Sequence, residues 1–103
     1  MDFPIKRLTL LSNYISLESC DAKGWDTGSV GQWDDSNNSI KIKNSVSPEV
    51  AKLTACHEVG HAIESFTGIS LTEEQIQALG LGWYSFIKEN KTFVKWLQGG
   101  SNE

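Results

Sequence analysis

Apolar and polar positions alternate in the first part of this chain and recur every three or four residues in the second. In Ser39-Ile40-Lys41-Ile42-Lys43 the isoleucines fall on one face of a strand and the lysines on the other. Ser29-Val30-Gly31-Gln32-Trp33 precedes it, separated by Asp34-Asp35-Ser36-Asn37-Asn38; strand, turn cluster, strand predicts a hairpin. The adjacent acids Asp34 and Asp35 are read there as turn formers rather than ligands, because short polar side chains bond their own backbone. Leu8-Thr9-Leu10 and Tyr14-Ile15-Ser16-Leu17 alternate in part and predict strands around a Ser12-Asn13 turn. Residues 18–28, with Asp21, Gly24, Asp26 and Gly28, read as loop.

From residue 47 the period changes. Ser47-Pro48-Glu49 combines a capping hydroxyl, a proline at the first helical position and an acid at the positive end of the dipole. The helix is expected to run to Thr67, with Gly68 as a left-handed stop. Val50, Leu53, Thr54, His57 and His61 share one face; Ala55, Cys56, Val59, Ala62, Ile63 and Phe66 share the other. A helix apolar on two sides is expected to be central and buried. Thr72-Glu73-Glu74-Gln75 makes a capping box for a second helix carrying Ile76, Leu79, Gly80, Trp83 and Ile87. Gly80 lies on its apolar face, where close packing against the first helix accounts for it. Asn90-Lys91 interrupts, Phe93, Trp96 and Leu97 predict a short third helix, and residues 98–103 are expected to form a flexible tail. The fold class is therefore α+β: a small N-terminal antiparallel sheet, two packed helices and a short C-terminal helix, in one domain over residues 1–103.

Composition narrows the class. The chain is 39% hydrophobic and 21% charged, which is ordinary for a globular protein. A net charge of −4 argues against nonspecific nucleic-acid or anionic-membrane binding, both of which need a basic surface. No stretch approaches the length of apolar sequence that spans a bilayer. Met1-Asp2-Phe3-Pro4 shows no basic segment leading into an apolar run, so a cytoplasmic location with reduced thiols at Cys20 and Cys56 is expected. Cys56 falls about 100° round the helix from His57 and is read as a small core residue.

The chemistry sits in His57-Glu58-Val59-Gly60-His61, an HExxH motif. Residues four apart stand one above the other on a helix, so His57 and His61 can direct two imidazoles at one metal ion. Zinc accepts two His and one further protein ligand while keeping a position for water, and Glu58 is placed to act as the general base. The third ligand is a carboxylate or Cys20. Glu64 shares the histidine face but lies about 10 Å further along the axis than His57, which suits a solvated or supporting carboxylate. On a wheel centred on Ile76, Glu73 falls near about 60°, towards the first helix, and Glu74 near about 160°, towards solvent. Glu73 is the leading ligand candidate and Glu74 the alternative. Tyr84, near about 80° on the same wheel, is a candidate oxyanion stabiliser whose competing reading is a half-buried core tyrosine.

His57 to His61, Gly68, Leu71-Thr72-Glu73-Glu74, Leu79-Gly80, Trp83-Tyr84 and Ile87-Lys88-Glu89-Asn90 together resemble small phage and prophage proteins of the ImmA/IrrE-like metallopeptidase type. The resemblance covers roughly residues 46–97. It implies a gluzincin-like, zincin-type minimal domain, with zinc on His57, His61 and Glu73 and Glu58 as base. Larger members act on repressor-type regulators in the cytoplasm, which implies a protein substrate. They usually present the third Glu in an acid–alanine–aromatic pattern, where this chain has Glu73-Glu74-Gln75-Ile76. They also carry further domains, so their choice of substrate does not transfer.

The expected function is zinc-dependent hydrolysis of peptide bonds, acting on a protein or peptide in a bacterial or phage-infected cell, with no nucleic-acid or membrane partner. The strand Ser39–Ile42, if beside the site, could hold an extended substrate by strand addition. Two other readings compete. A zinc scaffold that binds a protein partner without catalysis, in the manner of a small phage-encoded effector, predicts Trp25 and Trp33 exposed beside the site. A structural zinc site predicts a fourth protein ligand, for which the sequence has no convincing candidate.

Overall fold

The structure is a computed structural model that describes residues 3–21, 23–25 and 28–99. Four strands come first: β1 (Arg7–Leu10), β2 (Asn13–Cys20), β3 (Gly31–Asp34) and β4 (Ser39–Lys43). Three helices follow: α1 (Pro48–Thr67), α2 (Glu73–Glu89) and α3 (Lys91–Leu97). This is the α+β order that the change of period predicts. Of the expected tail, residues 100–103 lie outside the described residues, and so do Met1-Asp2 and Asp26. Gln98 and Gly99 close the last helical turn through bonds to Val94 and Trp96.

The sheet order is β1-β2-β4-β3. Both hairpins are antiparallel, and they meet through a parallel pairing of β2 with β4, Leu17 opposite Ile40 and Ser19 opposite Ile42. Alternation within each strand does not encode that long-range pairing. It also carries β2 through Cys20, so the loop read over 18–28 begins later than expected. The first turn falls on Leu11 and Ser12, both with positive φ (51° and 66°), one residue earlier than Ser12-Asn13. Two left-handed residues in succession match the twist of the flanking strands, and Asn13 steadies the turn by donating to the Leu11 carbonyl at 2.9 Å. The second turn uses the expected chemistry: Asp34 accepts from the backbone and hydroxyl of Ser36 and from the Asn37 amide.

One face of the sheet carries Ile15, Ile40 and Ile42, all fully buried, and α1 covers it with Ala51, Ala55, Val59, Ala62 and Phe66. Each buried isoleucine contributes about 1.5–3 kcal/mol relative to exposure. The α1 caps are those the sequence indicates, with Ser47 accepting from Val50 N–H and Gly68 left-handed at φ 77°. Thr72 and Gln75 form the capping box of α2. α1 lies between the sheet and α2. Its second apolar side is not wholly buried, contrary to expectation, since Val50 and Leu53 are 42% and 37% exposed.

The α1–α2 seam depends on two missing side chains. A Cβ at Gly80 would stand 3.0 Å from His57 Cα, and one at Gly60 would stand 3.0 Å from Ile76 Cγ2. Trp83 Nε1–H donates to the Cys56 carbonyl at 3.1 Å across the same seam. The backbones therefore approach beside the histidines.

Candidate metal centre

His57 and His61 are one turn apart on α1, with ring centroids 5.3 Å from each other. Glu73, the first residue of α2, reaches back between them. Its Oε1 lies 2.6 Å from His57 Nε2 and its Oε2 lies 3.1 Å from His61 Nε2. The seam sets this placement, because the close contact at Gly80 and the capping box at Thr72 fix where α2 begins. His57, His61 and Glu73 offer ligand atoms that all lie within 4.8 Å of one another, close enough to hold a metal ion.

The neighbours suit that role. Glu64 Oε1 lies 3.0 Å from His61 Nδ1, and its other oxygen accepts from Leu71 N–H at 2.7 Å. The backbone bond from Leu71 foremost, and the His61 ring, hold the Glu64 carboxyl below its ordinary range. A carboxylate on Nδ1 orients the ring and leaves Nε2 for the ion, the usual arrangement for a metal-ligating histidine. Glu64 thus stands behind His61 and is not among the converging groups, as its distance along the helix implies. Two imidazoles and a carboxylate, with one imidazole held from behind, form a donor set that zinc accepts.

Glu58 is buried, with 7% of its surface exposed. It turns towards β3, where a Cβ on Gly31 would come within 3.4 Å of its Cγ and Oε2 and would overlap Thr54 Cγ2. Glycine at position 31 therefore lets α1 and Glu58 approach the strand. Burial pushes the Glu58 carboxyl up; the His57 and His61 rings pull against that, and the Glu73 carboxylate adds to it.

The other sequence candidates stand elsewhere. Glu74 is exposed on the first turn of α2 and is not among the converging groups. The Tyr84 hydroxyl donates to Glu49 Oε1 at 2.5 Å, beside Lys88 at 2.9 Å from the same oxygen. Glu49 lies two turns before His57, so the hydroxyl joins α2 to the start of α1 rather than facing the triad. Trp33 is half-buried, its ring edge-on to Phe66 at 5.7 Å, and does not line the site. Trp25 is likewise half-buried. Cys20 ends β2 and is not among the converging groups either.

What sequence reasoning missed is the cleft beside the triad. It has a volume of about 520 Å³, and its walls include Val30, Gly31, Val50, Leu53, Gln77 and Leu81 together with His57, Glu58 and Glu73. The signal was present in part, since Val50 and Leu53 share the histidine face of α1. No family model, curated protein or solved structure matches the chain. The chemistry of these side chains therefore carries the functional reading. Among the described residues, no helix is long and apolar enough to cross a membrane.

Proposed function

We propose that this protein is a zinc-dependent peptide hydrolase of the minimal zincin type, close in kind to the ImmA/IrrE-like metallopeptidases that its second half resembles. The observation that carries this reading is the convergence of His57, His61 and Glu73, with Glu58 lining the cleft that His57 and Glu73 line. His57, His61 and Glu73 hold the ion. Zinc in such a donor set supplies an electrophile for a carbonyl and brings the pKa of water near about 7. Glu58 takes the proton of the attacking water on its carboxylate and passes it to the leaving amine, so it ends each turnover ionised. Its buried position beside Thr54 keeps that proton away from bulk solvent.

An extended peptide is the natural substrate, and the strand that would receive it is β3. The sequence pointed to Ser39–Ile42, but β4 is paired on both sides. β3 is an edge. Lys43 N–H donates to the Val30 carbonyl, so Val30, Gln32 and Asp34 face β4 with their backbone groups, while Gly31 and Trp33 direct theirs outward. Strand addition at Gly31 would bring a substrate backbone alongside Glu58.

Metal content tests the reading. The wild type is expected to carry one zinc per chain, Glu73→Ala to lose it, and Glu74→Ala to retain it. Glu58→Gln is expected to keep the zinc and lose peptide cleavage. Folded protein that takes up no added zinc, or cleavage that survives Glu58→Gln, would overturn the proposal.

A further inference from the structure

Val50, Leu53 and Leu81 are large apolar residues left 42%, 37% and 55% exposed, and all three line the cleft that His57, Glu58 and Glu73 also line. They come from two helices, which makes their meeting a property of the fold rather than of one helix face. α1 and α2 run antiparallel: Gly60 meets Ile76, Gly80 meets His57, and Tyr84 meets Glu49. Leu81 is therefore brought level with the turns of α1 that precede His57, where Leu53 and Val50 stand. The three side chains line the cleft on the N-terminal side of His57, and Val30 closes the wall from the strand side.

The carboxylates of the lining are Glu58 and Glu73; Val30, Val50, Leu53 and Leu81 are apolar, and Thr54 and Gln77 are neutral. Among the described residues lining the cleft there is no lysine or arginine. An acidic side chain would find no counter-charge there, and a small one would leave three apolar side chains in water. A bulky apolar side chain would cover all three. The backbone of such a peptide has its own partner in the outward-facing groups of Gly31 and Trp33, so the apolar subsite is continuous with the edge strand.

We infer that this cleft selects extended peptides with a large apolar side chain next to the bond held at the triad, with Val50, Leu53 and Leu81 as the determinants of that choice. The inference rests on the hydrolase reading for the position of the bond, and on the cleft alone for the side chain.

The probes are N-acetylated alanine hexapeptides in which one central residue is Leu, Phe, Ala, Lys or Asp. Binding is measured to zinc-treated Glu58→Gln protein, which leaves the peptides intact, and zinc content is measured on the same samples. The Leu and Phe peptides are expected to bind roughly tenfold tighter than Ala, with Asp weakest. Adding Leu53→Glu should abolish that preference and favour the Lys peptide at unchanged zinc content. Because Leu53 is exposed, the fold is expected to survive the change, and circular dichroism checks this. Equal binding of all five peptides, or no binding of any, would overturn the inference even if zinc is bound. An apolar preference in protein that takes up no zinc would support the subsite while sinking the hydrolase.

Discussion

The sheet with α1 and the pair α2–α3 are built on different terms. In the first, Ile15, Ile40, Ile42 and Ala62 have no exposed surface, and Phe66 and Trp33 close the edges. In the second, α2 buries only Ile76 and Gly80, and α3 buries nothing. Phe86 meets Phe93 edge to face at 5.5 Å and Phe93 meets the tilted Trp96 ring at 5.6 Å, yet each stays 43–55% exposed. The core belongs to the first region. The second is held by a narrow seam: Gly80 against His57, Ile76 against Gly60, Trp83 on the Cys56 carbonyl, and Glu49 shared by Tyr84 and Lys88. The three groups placed to hold a metal ion straddle that seam, two from α1 and one from α2. Metal uptake therefore reports the docking of α2, while global unfolding reports the sheet and α1.

The sharpest way to break this comparison is to cut one large apolar side chain from each region. Ile40→Ala is expected to cost about 2–5 kcal/mol in urea unfolding, the usual range for a fully buried aliphatic side chain. Trp96→Ala removes more atoms but from an exposed site, and should stay within about 0.5 kcal/mol. Equal losses would mean that α3 belongs to the same cooperative core.

The seam is tested next, through two glycines on one helix. Gly80→Ala sets a methyl 3.0 Å from His57 Cα and 3.2 Å from His57 N, backbone atoms that no rotamer change can move aside. α2 must shift outward, at an expected cost of about 1–3 kcal/mol. Zinc affinity should fall with it, because Glu73 moves while the histidines do not. Gly82→Ala meets nothing within 4 Å and is expected to stabilise α2 by up to about 1 kcal/mol through helix propensity, with zinc uptake unchanged. Titrating zinc into both variants separates the seam from the helix. If Gly80→Ala binds zinc like the wild type, α2 is not positioned by that contact.

The seam also marks where the sequence stopped being legible. Caps and hairpins depend on neighbours in the chain, so Ser47, Gly68, Thr72-Gln75 and the Ile40/Ile42 alternation could be read directly. Glu73 could be chosen over Glu74 because both lie on one helix whose apolar face was already known. The parallel pairing of β2 with β4 has no local signal, and without it β3 could not be recognised as the free edge. Tyr84 shows the same limit. Its wheel position faces α1 correctly, but which residue of α1 it meets depends on how far α2 slides along the seam, and that is set at Gly60 and Gly80. Val50 and Leu53 looked like core because a pattern records apolar character and not whether a neighbour covers it.

Acid should distinguish the two regions by the smallest effect. Asp34 sits in the β3–β4 turn, where hydrogen bonds from the Ser36 side chain foremost, then from Asn37, hold its carboxyl at about 2 against an ordinary 3.8. Glu49 sits on the seam, where the Tyr84 hydroxyl foremost and Lys88 hold its carboxyl below an ordinary 4.5. Both are lowered in the folded protein. Each contribution is therefore complete above the ordinary value and is lost as pH falls through the depressed one. Glu49 is exposed and Asp34 sits half-buried in a surface turn, so each effect is small. Asp34→Asn is expected to flatten the fall of the urea midpoint between about pH 4 and about pH 2. Glu49→Gln should leave that slope nearly intact and instead flatten the acid-induced loss of hydrogen-exchange protection in α2. If Glu49→Gln changes the global slope as much as Asp34→Asn does, the seam and the core unfold together, and metal uptake would then report the stability of the whole chain.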